Sequence, residues 1–415
     1  MWFSSRASSR GDSDTFDEYG HGTHVAGILA GNGRRSKGSQ STYWIRGIAP
    51  GVNLVSLRVL DSKGAGSDSA VIAAIQTAIA LKNVYNIRVI NLSLGRPVYG
   101  SYATDPLCMA VELAWKSGIV VVVAAGNEGR NNSAGTNGYG TITAPGNDPY
   151  VITVGAMNSI GTINRRDDKI TSYSSKGPTQ IDHIVKPDLV APGNRILSLR
   201  DQNQYLDVMY PSNRVPRYVY MTTTDTWTPD YYQLSGTSMS APMVSGAVAL
   251  MLQKDSTLTP DTVKARLMKS AMKLPAIQTS STDPATGVTY ISENDAFTVG
   301  AGYLDIQAAL ASSDVATAAA ISPVAKPDGN GSVFLILPNN AVWGTNAVWG
   351  TNAVWGTNAV WGTNAVWGTG IVWANNAVWG TNAVWGTNAV WGTNAVWGTG
   401  TVSADAITVA INGEQ

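Results

Sequence analysis

Apolar positions along residues 1–311 fall into two alternating patterns: short unbroken runs and longer stripes at helical spacing. The runs Asn53–Leu60, Ile87–Leu94, Ile119–Ala125, Val151–Ala156 and Asp188–Ala191 predict strands. They lack polar alternation, which is the mark of strands buried on both faces. Between them, Asp68–Leu81 and Asp105–Lys116 predict apolar helices. Thr259-Pro260-Asp261 supplies an N-cap and a proline in the first turn, starting a helix that runs to about Met272. Alternating strands and helices predict a doubly wound α/β fold with a mostly parallel sheet. In such sheets functional groups gather beyond the carboxyl ends of strands. Asn127 and Ser93 both stand there.

Residues 199–233 form an irregular Tyr- and Thr-rich stretch, long for a loop and expected to lie along or over a functional surface. After about residue 312 the organisation changes. The divisions expected are a first unit over 1–311, a linker over 312–330 and a β-rich region over 331–415. Ser332–Leu337 predicts an apolar strand. Ten six-residue units then fill Asn340–Thr399, most reading Asn-Ala-Val-Trp-Gly-Thr. Six residues turn a helix by about 600°, which scatters the tryptophans, whereas a strand period of two divides six. The expectation is a repetitive β array, closed by the alternating run Ala406–Asn412. Its tryptophans form either a core or an exposed ladder for glycans, a cell surface or self-association.

Composition narrows the classes. The chain has 28 basic and 28 acidic residues and no long basic cluster, which argues against nucleic acid. No apolar run is long enough to span a membrane. The single cysteine, Cys108, excludes an internal disulfide framework and lies in an apolar helical stretch, where a buried inert thiol is expected.

Three segments carry chemistry. In Ser235-Gly236-Thr237-Ser238-Met239-Ser240 a glycine-flanked turn presents Ser238 at the start of a helix reaching about Gln253, where unpaired N–H groups favour developing negative charge. Pro242 is expected within that helix's first turn. His21-Gly22-Thr23-His24 opens another helix, and His is the usual base for a serine nucleophile. The apolar strand Val121–Ala125 leads to Gly126-Asn127, whose amide suits an oxyanion. The bland reading of the first segment is an ordinary Ser-capped helix.

Together these segments resemble the subtilisin-like serine proteases, the subtilases, over His21 to about Ala311. Asn91-Leu92-Ser93-Leu94-Gly95, Tyr173-Ser174-Ser175-Lys176-Gly177-Pro178, Lys186-Pro187-Asp188 and Val299-Gly300-Ala301-Gly302-Tyr303 extend the match. The resemblance implies a serine endopeptidase with Ser238 as nucleophile and His21 as general base. It makes the Asn127 amide and the Ser238 N–H the oxyanion donors. It further implies an extended peptide held between Gly64-Ala65-Gly66 and Ser93-Leu94-Gly95, with a pocket lined by Ala125 and Gly126 and neighbours of Glu128. Protein or peptide substrates and a secreted location follow from it.

The family's aspartate departs from the pattern. Neither Asp12-Ser13 nor Asp14-Thr15 is followed by glycine, no apolar strand precedes His21, and Asp17 is not assigned to the triad. The expectation is an N-terminally truncated copy of a longer protein, with weak turnover. The alternative is an inactive chain whose repeats serve binding. No cofactor is expected. His21 and His24 have a spacing that metals use, but no matching acidic or Cys ligand stands nearby. Structural calcium, common in the family, has no clustered-Asp loop here. Met243 stands where many relatives carry His, and His183 has no expected role.

Overall fold

The computed structural model describes residues 16–222, 229–327, 333–336, 401–403 and 407–414. The repeat units of 340–399 lie outside them, and so does the β array expected there. The first elements are α1 (His21–Ala30), β1 (Ala65–Ser67), α2 (Asp68–Ala80), α3 (Lys82–Tyr85) and β2 (Val89–Leu92). Then come α4 (Pro106–Lys116), β3 (Val120–Ala124), β4 (Ile152–Asn158), β5 (Lys169–Ile170) and β6 (Leu189–Pro192). They are followed by β7 (Ile196–Leu199), α5 (Tyr205–Met209), β8 (Tyr231–Leu234), α6 (Thr237–Lys254) and α7 (Pro260–Ser270).

The central sheet runs β2-β3-β4-β6 in parallel, with β5 antiparallel at the end of β4. Every residue of β3 and β4 is buried, as expected of strands between two helical layers. Their side chains join Val71, Ile75, Val111 and Trp115 on one side and Ala241, Val244 and Val248 on the other in one core. The fold is thus α/β with a mixed, mostly parallel sheet. Local chemistry sets the helix starts. Asp105 Oδ1 accepts the Leu107 N–H at 2.9 Å with Pro106 in the first turn, and Thr259 Oγ1 accepts the Thr262 N–H at 3.2 Å.

Three expectations are corrected. Asn53–Leu60 is not a strand: only Leu60 bridges, to Gly66. A run of the right composition becomes a strand only where a neighbour completes its ladder. Pro242 sits well inside α6, past the first turn. Ile407–Asn412 is a helix rather than an alternating strand, packed beside β8.

The remaining elements are β9 (Gln278–Thr282), β10 (Thr289–Glu293), α8 (Ile306–Ala311), β11 (Val324–Pro327), β12 (Val333–Ile336) and β13 (Thr401–Ser403). Residues 312–325 run along the body. Ala320 N–H bonds Asp261, Val185 N–H bonds the Pro323 carbonyl, and Ala325 N–H bonds the His183 carbonyl.

Candidate active site

Ser238 is fully buried in the first turn of α6, and Gly236 just before it has φ 143°, a conformation that favours glycine. Deeper in this helix, Pro242 has no N–H to give the carbonyl of Ser238, four residues back. The Ser93 hydroxyl supplies that bond at 2.8 Å. Ser93 follows β2 directly, and Asn91 Nδ2 donates to its oxygen at 3.0 Å. In return Ser238 Oγ donates to the Ser93 carbonyl at 3.2 Å. The end of β2 and the start of α6 are therefore tied by two opposed hydrogen bonds.

Asn127 follows β3 and is buried. Its Oδ1 accepts the Thr237 N–H at 3.0 Å and lies 3.3 Å from the Thr237 hydroxyl. This fixes which way the amide faces. Nδ2 is buried with no acceptor among the described residues. An unsatisfied buried donor costs roughly 1–3 kcal/mol. Gly126 N–H bonds Thr237 Oγ1 at 3.2 Å, and Gly126 has φ 106°. A Cβ there would lie 2.7 Å from Ser175 Oγ, so only glycine fits between strand end and floor. The Ala125 carbonyl accepts the Thr143 N–H, and the Gly126 carbonyl accepts the Ser175 N–H. Glu128 is exposed beside them.

His21 begins α1 and is buried, with its ring 6.2 Å from that of Tyr19. It lines a cavity with Phe16, Tyr19, Val59, Leu60 and Ser93, so Ser93 joins the histidine side of the site to Ser238. The Nε2 of His21 is buried with no partner among the described residues, and the Ser238 hydroxyl donates to the Ser93 carbonyl. Burial brings the imidazole down to about 3, so it is neutral at ordinary pH. No carboxylate among the described residues hydrogen-bonds the ring. Asp17 is occupied elsewhere, accepting the Gly20 and Thr23 N–H groups at 2.9 and 2.6 Å at the start of α1.

Ala65 and Gly66 belong to β1, with Gly64 just before it. Leu94 is buried, and Gly95 lies against Thr143. His24 Nε2 lies 3.1 Å from the carbonyls of Ile196 and Tyr232, which places it in the packing of α1 on β7 and β8. Cys108 is buried and donates to Asn147 Oδ1 at 3.2 Å, and burial pushes its thiol well up. The sequence reading missed the part of Thr237, which orients Asn127. Its place beside the serine was the available signal.

Residues 2–302 match the family described as Subtilase. The chain belongs to the subtilase family. It is 39% identical to "Serine protease AprX" of Bacillus subtilis strain 168 over 63% of this chain and 54% of that one. Against "Subtilisin DY" of Bacillus licheniformis the identity is 35%, over 72% of this chain and 80% of the relative. "Extracellular serine proteinase" of Thermus sp. strain Rt41A is 35% identical over 60% of this chain and 45% of its own length. This subtilase thus spans only about half of some of the relatives it matches. No helix among its described residues is long and apolar enough to cross a membrane.

Proposed function

We propose that the chain is a serine endopeptidase acting on extended peptides. The observation that carries this reading is the Asn127 amide, held by Thr237 N–H so that Nδ2 stays open at the helix start that presents Ser238. In this reading Ser238 Oγ leaves the Ser93 carbonyl and attacks the peptide carbonyl, while His21 Nε2 takes its proton. The oxyanion accepts from Asn127 Nδ2 and the Ser238 N–H. His21 then gives the proton to the leaving amine, and water releases the acyl group. Gly64-Ala65-Gly66 and Ser93-Leu94-Gly95 pair with the substrate backbone, which gives broad specificity, and Ala125 and Gly126 wall the adjoining pocket. Exposed Glu128 favours a basic or polar side chain there.

The reaction as written needs no cofactor. A protease named extracellular among the relatives supports secretion. The peptidase unit covers 1–311, and the tryptophans of the ten C-terminal units either form a core of their own or serve a glycan, a cell surface or self-association. A fluorophosphonate probe tests the main reading. Labelling that is lost in both Ser238→Ala and His21→Ala supports it. Labelling that survives Ser238→Ala overturns it.

A further inference from the structure

The strand that pairs with the proposed substrate edge comes from the chain itself. β13 lies antiparallel on β1, with Ala65 opposite Ser403, Gly66 opposite Val402 and Ser67 opposite Thr401. An extended peptide bound to that edge would take this place. Farther along the chain, the tail also meets the residues that flank Ser238. The helix Ile407–Asn412 lies against β8, where the Ala410 carbonyl accepts the Ser235 N–H at 2.9 Å. Ala410 packs with Leu234 and Met239, so the tail touches residues on both sides of the nucleophile.

Beyond this helix the tail is fastened by polar contacts. Glu414 is 1% exposed. Its carboxylate accepts from Arg130 Nη2 at 3.0 Å, from the Ser172 N–H at 2.8 Å and from the Ser172 hydroxyl. Its N–H donates to Asn194 Oδ1 at 2.7 Å, and Asn194 Nδ2 returns a bond to its carbonyl at 2.9 Å. Asn213 Nδ2 also donates to the Ile411 carbonyl at 2.8 Å. All three bonds fall on Oε1, and Arg130 is shared with Asp283 at 3.2 Å; a buried carboxylate oxygen with a cation and two further donors is a built site, not an incidental contact.

We propose that the substrate groove binds the chain's own C-terminal tail, with β13 filling the strand position and Glu414 on Arg130 latching the tail in place. The proposal rests on the groove assigned above. Because the tail is tethered, its occupancy depends on the linkage rather than on protein concentration. Peptides enter only when the latch opens, so their apparent affinity falls by the fraction of time the groove is free.

The test compares the full chain with Glu414→Gln and with a version ending at Gly400. Hydrogen exchange is followed at the Gly66 amide, because the Ala65 N–H is already held by Asp61 Oδ1, and hydrolysis of a chromogenic peptide is followed beside it. Loss of the latch is expected to speed exchange at this amide and to raise kcat/KM about tenfold or more, the rise expected if the groove is open a tenth of the time. Unchanged exchange in both variants overturns the proposal. So does protection that grows with protein concentration, which would assign the strand to a second copy. Exchange is read whether or not Ser238 reacts. A chain that never labels with fluorophosphonate but shows the exchange change loses the peptidase reading and keeps the tail.

Discussion

The Ser93 hydroxyl gives the Ser238 carbonyl the hydrogen bond that Pro242 denies it. A helix can carry proline near a buried serine only if another donor takes over. Ser93→Ala is therefore expected to leave a buried carbonyl unsatisfied and to cost about 1–3 kcal/mol in urea unfolding. Adding Pro242→Ala restores an N–H within the helix, and the double variant should recover part of the loss. Additive losses would show that the two residues are not coupled.

Asn127→Leu keeps volume but removes the open Nδ2 donor. Turnover is expected to fall about 10²–10³-fold, the range known for losing one such donor in a subtilisin. Far-UV circular dichroism should stay the same. A variant with near-normal kcat would remove Asn127 from the reaction.

His24 ties stability to pH. Burial first, and the neighbouring His21 second, lower its imidazole from 6.5 to about 3. The unfolded chain takes a proton in that window and the folded protein refuses it. The contribution is thus full above pH 6.5 and is lost as pH falls toward 3, with a slope of at most about 1.4 kcal/mol per pH unit. Asp148, pushed up by burial to about 7, and Asp295, pushed up to about 6, act in the opposite direction. The informative quantity is therefore the difference between parent and His24→Gln, whose urea midpoints should fall less steeply between pH 7 and 4. Identical slopes would refute this assignment.

Arg96 lies between two carboxylates just after Gly95. Its Nε bonds Asp68 at 2.8 Å, and its Nη2 bonds Asp105 at 2.7 Å. Arg96 and Asp105 are buried. Arg96→Met should lose about 3–5 kcal/mol by leaving buried charge unmatched, and Arg96→Met with Asp105→Asn should lose less. Urea titration of the two proteins decides the order.

Much of this arrangement was legible beforehand because it is local. β3 and β4 were plain from unbroken apolar runs, and α4 and α7 from Asp105 and Thr259 at their starts. Ser238, His21 and Asn127 stood out because each sits at an element's end. What stayed hidden depends on partners distant in sequence. Asn53–Leu60 has strand composition, but its state is set by what lies beside it. Ile407–Asn412 is six residues long, too short for periodicity to separate helix from strand. The pairing of Arg130 with Glu414 spans 284 positions, and nothing in either neighbourhood announces it. Pro242 was misplaced because the helix starts earlier than its apolar stripe suggests.

Lys264 carries one more consequence. Its buried amine meets the carbonyls of Pro149, Tyr150 and Val151, and it also meets Ser322 at 2.8 Å and Asp188 at 3.3 Å. Ser322 in turn donates to Asp188 at 2.5 Å. A recombinant version stopped at Ala311 would lose that seryl plug and open a wet hole onto an interior lysine–aspartate pair. One stopped at Pro327 would keep the seal, so a sound peptidase-family body needs residues beyond the end of α8 at Ala311.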